Sequence, residues 1–348
     1  MALELGISTP WDLWKLPHDE QRRRLAGIAD AGIDHVFTAD HVSFHDGSGI
    51  DGLVHLAAIS GLEPRLGLHV GVYLLALRHP MIAARQIASL AEAAPGRLTV
   101  GVGVGGEDRR EVEVCEVDPA TRGRRTDVEL GLVRSLLDGD TVDGDGEFFS
   151  FTGGVIRPRP DPAVPFLVGG RSDAAVRRAG VLGDGWLAAW CSPSRFAAAT
   201  AMAEEFGADR SVTWRHGLQV WVGLDASREV ARAHVAAAME GFYKTGFDRF
   251  ERYTPYGSAA DVAEFLSPYV AAGATVLNLT PCGPDRDAEV ELLADGSVRL
   301  VYRLVEAAII AEVQVVGNKV ISDQDLLSAA RMTRGLPRDD FRIEKAKR

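Results

Sequence analysis

Five side chains able to move protons or bind a cation fall within "TADHVSFHDGSGID", residues 38–51: Asp40, His41, His45, Asp46 and Asp51. Carboxylates and imidazoles at this density suggest a metal centre. A metal, however, needs ligands converging from several elements, at spacings such as H-x-H or H-E-x-x-H. The other apolar runs end in "GVGVGG", "VGGRS" and "LTPCG", which supply no matching histidine or carboxylate pair. No metal is therefore expected. Asp40 and His41 directly follow the run "HVFT", where a buried strand delivers its last residues to a surface. There an imidazole can exchange protons near neutral pH and a carboxylate can orient it. A helix cap or a backbone-satisfied imidazole is the structural alternative. His45 and Asp46 are expected to shape the adjoining loop, with His45 in reach of a substrate.

A second set of positions is defined by missing side chains. "GVGVGGED" (101–108) and "VGGRSD" (168–173) both follow apolar runs. Bare backbone lets a flat cofactor approach and presents N–H groups to a phosphate. "GGRSDAAVRR" also opens a helix, whose first amides and positive dipole end favour an anion, with Arg171 and Ser172 as added donors. Neither stretch is a dinucleotide fingerprint at the right place in a βαβ unit, and tight turns alone would also call for glycine. Gly71 interrupts the run "LGLHVGVYLLAL", where glycine weakens pairing unless a bulge or a close approach requires it. Arg78, His79 and Pro80 then read as the structural start of a helix. Arg109, Arg110, Arg122, Arg124 and Arg125 read as a solvated, salt-bridged helix face, with anion binding as the sharper alternative.

The elements that position these residues announce themselves through a recurring junction. Alanine-rich stretches end in glycine and are followed by a short apolar run, as in "IADAG" before "IDHVFTAD" and "YVAAG" before "ATVLNLTP". Glycine closes a helix in the left-handed conformation, and runs without polar alternation suit parallel strands covered on both faces. Eight runs qualify: "LELGIS", "HVFT", "LGLHVGV", "LTVGVG", "PFLVG", "GWLAAW", "GLQVWVGL" and "TVLNLT". Helical patterns over 18–31, 79–94, 121–137, 172–182, 194–207, 227–241 and 258–272 separate most of them. This α/β alternation predicts a (β/α)8 TIM barrel with loop insertions over residues 1–307, ahead of a doubly wound open sheet. "DTVDGDGEFFSFTGGVIRPRP" reads as a hairpin excursion and "KTGFDRFERYTPYG" as an aromatic-rich lid or wall. Residues 308–348 read as a C-terminal extension, partly disordered or an oligomerisation arm, with "AEVQVVGNKVI" a candidate hairpin.

With 348 residues, 46% of them apolar and 25% charged, the chain can bury a full core. A net charge of −11 argues against nucleic acid as a partner. Cys115, Cys191 and Cys282 are odd in number and scattered, as expected of reduced thiols. "MALELGISTPWD" lacks a basic start, and the apolar runs are too short to span a bilayer. A soluble, cytoplasmic protein with no membrane partner is expected.

"AGIDHVFTADHV", "RLGLHVGVYLLALRHPMIAARQIASLAEAAPGRLTVGVGVGGED", "RGRRTD" and "VGGRSDAAVRRAGVLGDGW" together resemble the luciferase-like monooxygenase family, in particular its F420-dependent oxidoreductases. The likeness runs in order through about residues 1–285. It implies a barrel that binds the deazaflavin F420, or alternatively flavin mononucleotide (FMN), at its C-terminal mouth. It implies that Asp40 and His41 lie beside ring and substrate as the catalytic pair, with Asp40 also touching the cofactor. It places a non-prolyl cis peptide at Gly71–Val72 behind the ring, a glycine stretch at Gly103, Gly105 and Gly106, and a phosphate loop at Gly169, Gly170, Arg171 and Ser172. Some relatives that oxidise sugar phosphates carry a glutamate directly after the strand-four glycines, where this chain has Gly106 with Glu107 one residue later. They also carry a tryptophan beyond the Asp-His pair, where this chain has His45. Both departures argue against a sugar phosphate. The implied function is hydride transfer between F420 and a small organic substrate by a homodimer, with His41 moving a proton and Asp40 orienting it. An FMN-dependent monooxygenase and a non-catalytic F420- or flavin-binding barrel are the alternatives.

Overall fold

A computed structural model of the chain describes residues 2–10, 12–105 and 108–283, together with the backbone of strands Ala288–Leu292 and Val298–Tyr302. Eight parallel strands close on themselves. They are β1 (Glu4–Ser8), β2 (His35–Thr38), β3 (Gly67–Leu74), β4 (Leu98–Gly103), β5 (Phe166–Gly169), β6 (Gly185–Ala188), β7 (Gly217–Leu224) and β8 (Val276–Cys282). Each pairs with the next, and β8 returns to β1 with Asn278 opposite Gly6. All eight predicted runs are barrel strands, and the open sheet is excluded. The chain through Tyr302 forms one compact unit.

The lack of polar alternation has a direct cause. In β7, Leu218, Val220 and Val222 are buried against the helix layer, while Gln219 and Trp221 take the opposite face of the pleat, toward the lumen. The lumen itself is polar. His35 Nε2 lies 2.7 Å from Asn278 Oδ1, and Asn278 Nδ2 donates to Gln219 Oε1 at 3.3 Å. Gln219 Nε2 in turn donates to the Gly71 carbonyl at 2.9 Å. Position 6 must be glycine, since a Cβ there would overlap the His35 ring. Burial pushes His35 and His69 below the ordinary imidazole range, so both sit in the barrel uncharged.

The helices are α1 (His18–Asp30), α2 (Gly52–Ser60), α3 (Pro80–Ala93), α4 (Arg109–Val114), α5 (Arg122–Leu137), α6 (Asp173–Leu182), α7 (Pro193–Phe206), α8 (Arg228–Tyr243) and α9 (Ala259–Ala271). Seven match the helical patterns. α2 escapes a periodicity reading because it is apolar on most sides, with Leu53, Leu56 and Ile59 buried and Val54 exposed. Its start is signalled instead by Asp51, which accepts the Val54 amide at 3.0 Å.

The predicted hairpin excursion forms between Val142–Asp145 and Ser150–Gly154, and Gly146 donates to the Phe149 carbonyl at 3.2 Å across its turn. A further hairpin pairs Ala288–Leu292 with Val298–Tyr302. The candidate hairpin "AEVQVVGNKVI" and the extension over 308–348 lie outside the described residues. Among the described residues, no helix is long and apolar enough to cross a membrane. The three cysteines are free thiols.

Candidate active site

Immediately after β2 the chain makes a small hairpin, His41–Phe44 against Ser48–Ile50, with His45 left-handed at φ 48° in its turn. Asp40 and His41 start this hairpin but face different partners. Asp40 is buried at 1% exposure and accepts the Gly52 amide at 3.0 Å and the Leu74 amide at 2.8 Å. Arg78 closes the remaining positions, at 2.7 Å and 2.8 Å from the two carboxylate oxygens. Burial, with the nearby Asp51 charge, leaves Asp40 above the usual carboxylate range, although Arg78 and the two amides oppose the shift. Every group that bonds to it is a donor, and each favours the charged form. Among the described residues Asp40 makes no hydrogen bond to His41. Its four lone-pair positions are spent on binding the loop after β2 to α2 and to the end of β3. Arg78, read as part of a helix start, is instead the buried counter-ion.

His41 is held by a residue that the sequence did not single out. Glu111, buried at 2% exposure on α4, places Oε2 3.0 Å from His41 Nδ1. Its other oxygen accepts the Val42 amide at 2.7 Å and the Ser43 amide at 3.1 Å. Although burial raises the Glu111 pKa, the bonds from His41 and the two amides hold it below the usual range. A carboxylate accepts only, so Nδ1 carries the proton and Nε2 is left to act as base, or as acid once protonated. Nε2 has no hydrogen-bond partner among the described residues. The ring packs on Phe44 at 4.1 Å between centroids, with Phe242 of α8 at 6.2 Å.

Three residues before Glu111, Asp108 caps α4 by accepting the Arg110 amide and also accepts the His45 amide at 2.7 Å. Asp108 and Glu111 thus grip one edge of the hairpin together, as i and i+3 positions share a helix face. Asp46 folds onto Ser48, whose amide it accepts at 3.1 Å, so the loop-shaping expectation holds. Among the described residues, no group of three or more His, Cys, Asp or Glu side chains could hold a metal.

Behind the hairpin, the Gly71–Val72 peptide is cis, as the resemblance implied, and β3 slips register against β4 between Val70 and Tyr73. The glycines around it have a closer occupant than a cofactor. A Cβ at Gly103 would overlap Val72 Cγ2, and one at Gly169 would come within 2.9 Å of Val72 Cγ1. Val72 is half-buried, standing on Leu167, Leu187 and Val276. Gly103 and Gly169 therefore make room for this valine, which becomes the floor of the barrel mouth. A Cβ at Gly71 would itself meet the Gln219 side chain. Gly105 has φ +70°, so its turn calls for glycine; Gly106 lies outside the described residues.

The loop after β5 runs into α6. Gly170 has φ +124° and its carbonyl accepts the Trp186 indole N–H at 2.7 Å. Ser172 caps α6, accepting the Ala175 amide at 3.3 Å. Arg171 is exposed, its guanidinium 5.3 Å from the Trp190 ring centroid. The acidic first residue of this helix, Asp173, is paired with Arg195 at 2.6 Å, which offsets part of its repulsion toward an anion. Of the other arginines, Arg109 and Arg124 pair with Glu113 and Glu147 on the surface, as expected. Arg125 turns inward to the Ala76 carbonyl at 2.8 Å.

The family model for luciferase-like monooxygenases matches residues 3–287. An uncharacterized protein of Mycobacterium tuberculosis (strain ATCC 25618 / H37Rv) is 36% identical over 138 residues, 40% of this chain and 47% of its own. An F420-dependent glucose-6-phosphate dehydrogenase of Beutenbergia cavernae is 34% identical over 163 residues, 45% of this chain and 48% of its own. The chain spans about half the length of the curated relatives it matches. Among solved structures, an F420-dependent secondary alcohol dehydrogenase in complex with an F420-acetone adduct superposes with a TM-score of 0.71 at 19% identity, covering 82% of this chain and 96% of that one. A monooxygenase from Streptomyces bottropensis superposes with a TM-score of 0.67 at 21% identity, covering 81% and 94%. At these identities the structures establish the shared fold.

Proposed function

Since this chain belongs to the luciferase-like monooxygenase family, we propose that it is an F420-dependent oxidoreductase acting on a small organic substrate. The observation that carries the reading is the Glu111–His41 pair, which fixes the imidazole tautomer and leaves Nε2 unpartnered among the described residues. Relatives named for F420 at 30–34% identity support deazaflavin over flavin. The donor set fits such a cofactor. Val72 offers a half-buried apolar floor for a flat ring, and the first turn of α6 with Arg171 offers amides and a cation to an anionic tail.

When bound, F420 supplies a hydride donor or acceptor at C5 of its ring. His41 Nε2 gives or takes the proton at the substrate atom that changes its bond order. Glu111 keeps Nδ1–H in place and stabilises the imidazolium when Nε2 is protonated. Asp40 and Arg78 act one layer behind, fixing the loop from which His41 projects. A cytoplasmic homodimer completes the proposal.

Expression in an F420-producing host, followed by denaturing release of bound small molecules, tests the reading. Deazaflavin in near-stoichiometric amount supports it. Bound FMN with oxygen-dependent turnover would favour the oxygenase alternative. Bound F420 with no turnover and no effect of His41→Ala would favour the non-catalytic barrel.

A further inference from the structure

The lumen of the barrel carries polar side chains that the proton-transfer pair does not use, and their hydrogen bonds can run in only one direction. Gln219 on β7 meets the Gly71 carbonyl on β3. A carbonyl only accepts, so Gln219 Nε2 is the donor there, at 2.9 Å. Its Oε1 is therefore turned to Asn278 on β8, which must donate through Nδ2, at 3.3 Å. That leaves Asn278 Oδ1 for His35 on β2, whose Nε2 donates at 2.7 Å. Asn278 Nδ2 also lies 3.3 Å from His69 Nδ1, which has to accept and so carries no proton. Four strands are thus joined by one chain of donors, His35 to Asn278 to Gln219, that ends on the Gly71 carbonyl.

Two observations set this chain of bonds apart from ordinary packing. A barrel lumen is usually filled by layers of apolar side chains. Here the direction of the bonds is kept at a cost, since His69 Nε2–H is buried without an acceptor among the described residues. The backbone also makes room for it: a Cβ at Gly71 would overlap Gln219 Oε1. Burial keeps both imidazoles neutral, as the chain of bonds requires of His69. The charged groups that bear on them are themselves engaged. Arg215 donates to Glu4 at 2.6 Å and to Thr99 at 3.2 Å, and Asp34 accepts the Leu5 amide at 2.7 Å. The Gly71 carbonyl belongs to the planar unit that carries Val72. Gln219 holds that unit from the lumen side, while Gly103 and Gly169 leave the space that the Val72 side chain fills.

We infer that Gln219 is a positioning residue for the cofactor ring: locked by Asn278, it fixes the Gly71–Val72 unit that forms the floor beneath the ring. The inference rests on the proposed cofactor reading for what lies on that floor, but not for the chain of bonds itself. Each bond in such a chain polarises the next, so the hold on Gly71 depends on the side chain at position 219. What that position needs is a donor toward Gly71 and an acceptor toward Asn278. Glutamine supplies both, and a neutral carboxylic acid of the same shape would supply both as well.

Equilibrium dialysis of the full chain against F420 at about pH 5.5 and about pH 8 tests it without turnover, with Gln219→Leu and Gln219→Glu compared with wild type at each value. Gln219→Leu deletes the donor and is expected to weaken F420 binding by about 10-fold at both values. Gln219→Glu is expected to bind within about twofold of wild type at the lower value, where its buried carboxyl is protonated. At the higher value it sets an acceptor against the Gly71 carbonyl and is expected to bind about 10-fold more weakly. Unchanged F420 affinity in Gln219→Leu, or a loss in Gln219→Glu that is equal at both values, overturns the inference. Imidazole nitrogen NMR shifts of the wild type without cofactor test the chain of bonds itself, also where a variant fails to fold. Neutral Nε2–H forms of His35 and His69 are expected at about pH 7, and an Nδ1–H form of His69 overturns the inference. Wild type that binds no F420 while both tautomers stand would sink the cofactor reading and leave the chain of bonds in place.

Discussion

Glu111 Oε2 stands 3.0 Å from His41 Nδ1 while Oε1 of the same carboxylate accepts the Val42 amide at 2.7 Å. One buried charge thus fixes both the imidazole and the backbone that carries it. Glu111→Gln keeps the shape and removes the charge. It is expected to lower kcat by about 10- to 100-fold, leave F420 affinity unchanged, and displace the pH–kcat profile. An unchanged profile would reduce Glu111 to a hairpin clamp. The folded Glu111 pKa lies below its ordinary value of 4.5, so its stabilisation is present above that value and is lost as pH falls through the folded pKa.

His41→Ala is expected to cut turnover by roughly two to four orders of magnitude while F420 still binds. Stopped-flow measurement of hydride transfer and of cofactor binding separates the two effects. A rate within a few-fold of wild type would remove His41 from the chemistry.

Arg78→Leu strands the Asp40 carboxylate in an interior where its side chain has no exposed surface. Breaking a buried pair from one side costs about 3–5 kcal/mol, which urea unfolding would read as a lower midpoint. A loss under about 1 kcal/mol would mean that Asp40 takes up a proton or water once Arg78 is gone.

The strand layout was legible because parallel strands covered on both faces need unbroken apolar runs, and glycine-closed helices mark where each begins. The Asp40–His41 position was legible for the same reason: it directly follows a strand. Glu111 was not. It sits 70 residues from His41 in a charged stretch, "EDRREVE", that reads as solvated helix face. Only closure of the barrel, which sets β2, β3 and β4 side by side, brings the loops after β2 and β4 into contact. The i, i+3 spacing of Asp108 and Glu111 was the one available signal. Gly103 and Gly169 make room for Val72, which no pattern in "LGLHVGV" distinguishes from any other strand valine.

That relationship is itself testable. Gly103→Ala is expected to push Val72 out of place and weaken F420 binding at least about 10-fold, and adding Val72→Ala is expected to restore part of the loss, since contacting residues couple by about 0.5–3 kcal/mol. Strict additivity of the two substitutions in a binding titration would show that they do not share this space.

Glu129 on α5 is fully buried, and neither carboxyl oxygen has a hydrogen-bond partner among the described residues. Burial pushes its pKa from 4.5 up to about 9, so the folded chain holds a proton that the unfolded chain releases across that interval. Stability contributed at this position therefore falls as pH rises from 4.5 toward 9. Glu129→Gln is expected to leave stability nearly unchanged at pH 5 and to raise it by about 1–3 kcal/mol at pH 8. An equal effect at both pH values would show that the native carboxyl is not held neutral.

The cofactor is the centre of the account, and a fluorescence titration of the purified chain with F420 and, separately, with FMN addresses it most directly. Saturable F420 binding with one site per chain, at least about 10-fold tighter than FMN and weakened by Gly103→Ala, is the expected result. Preferential binding of FMN, or no binding of either, would contradict it.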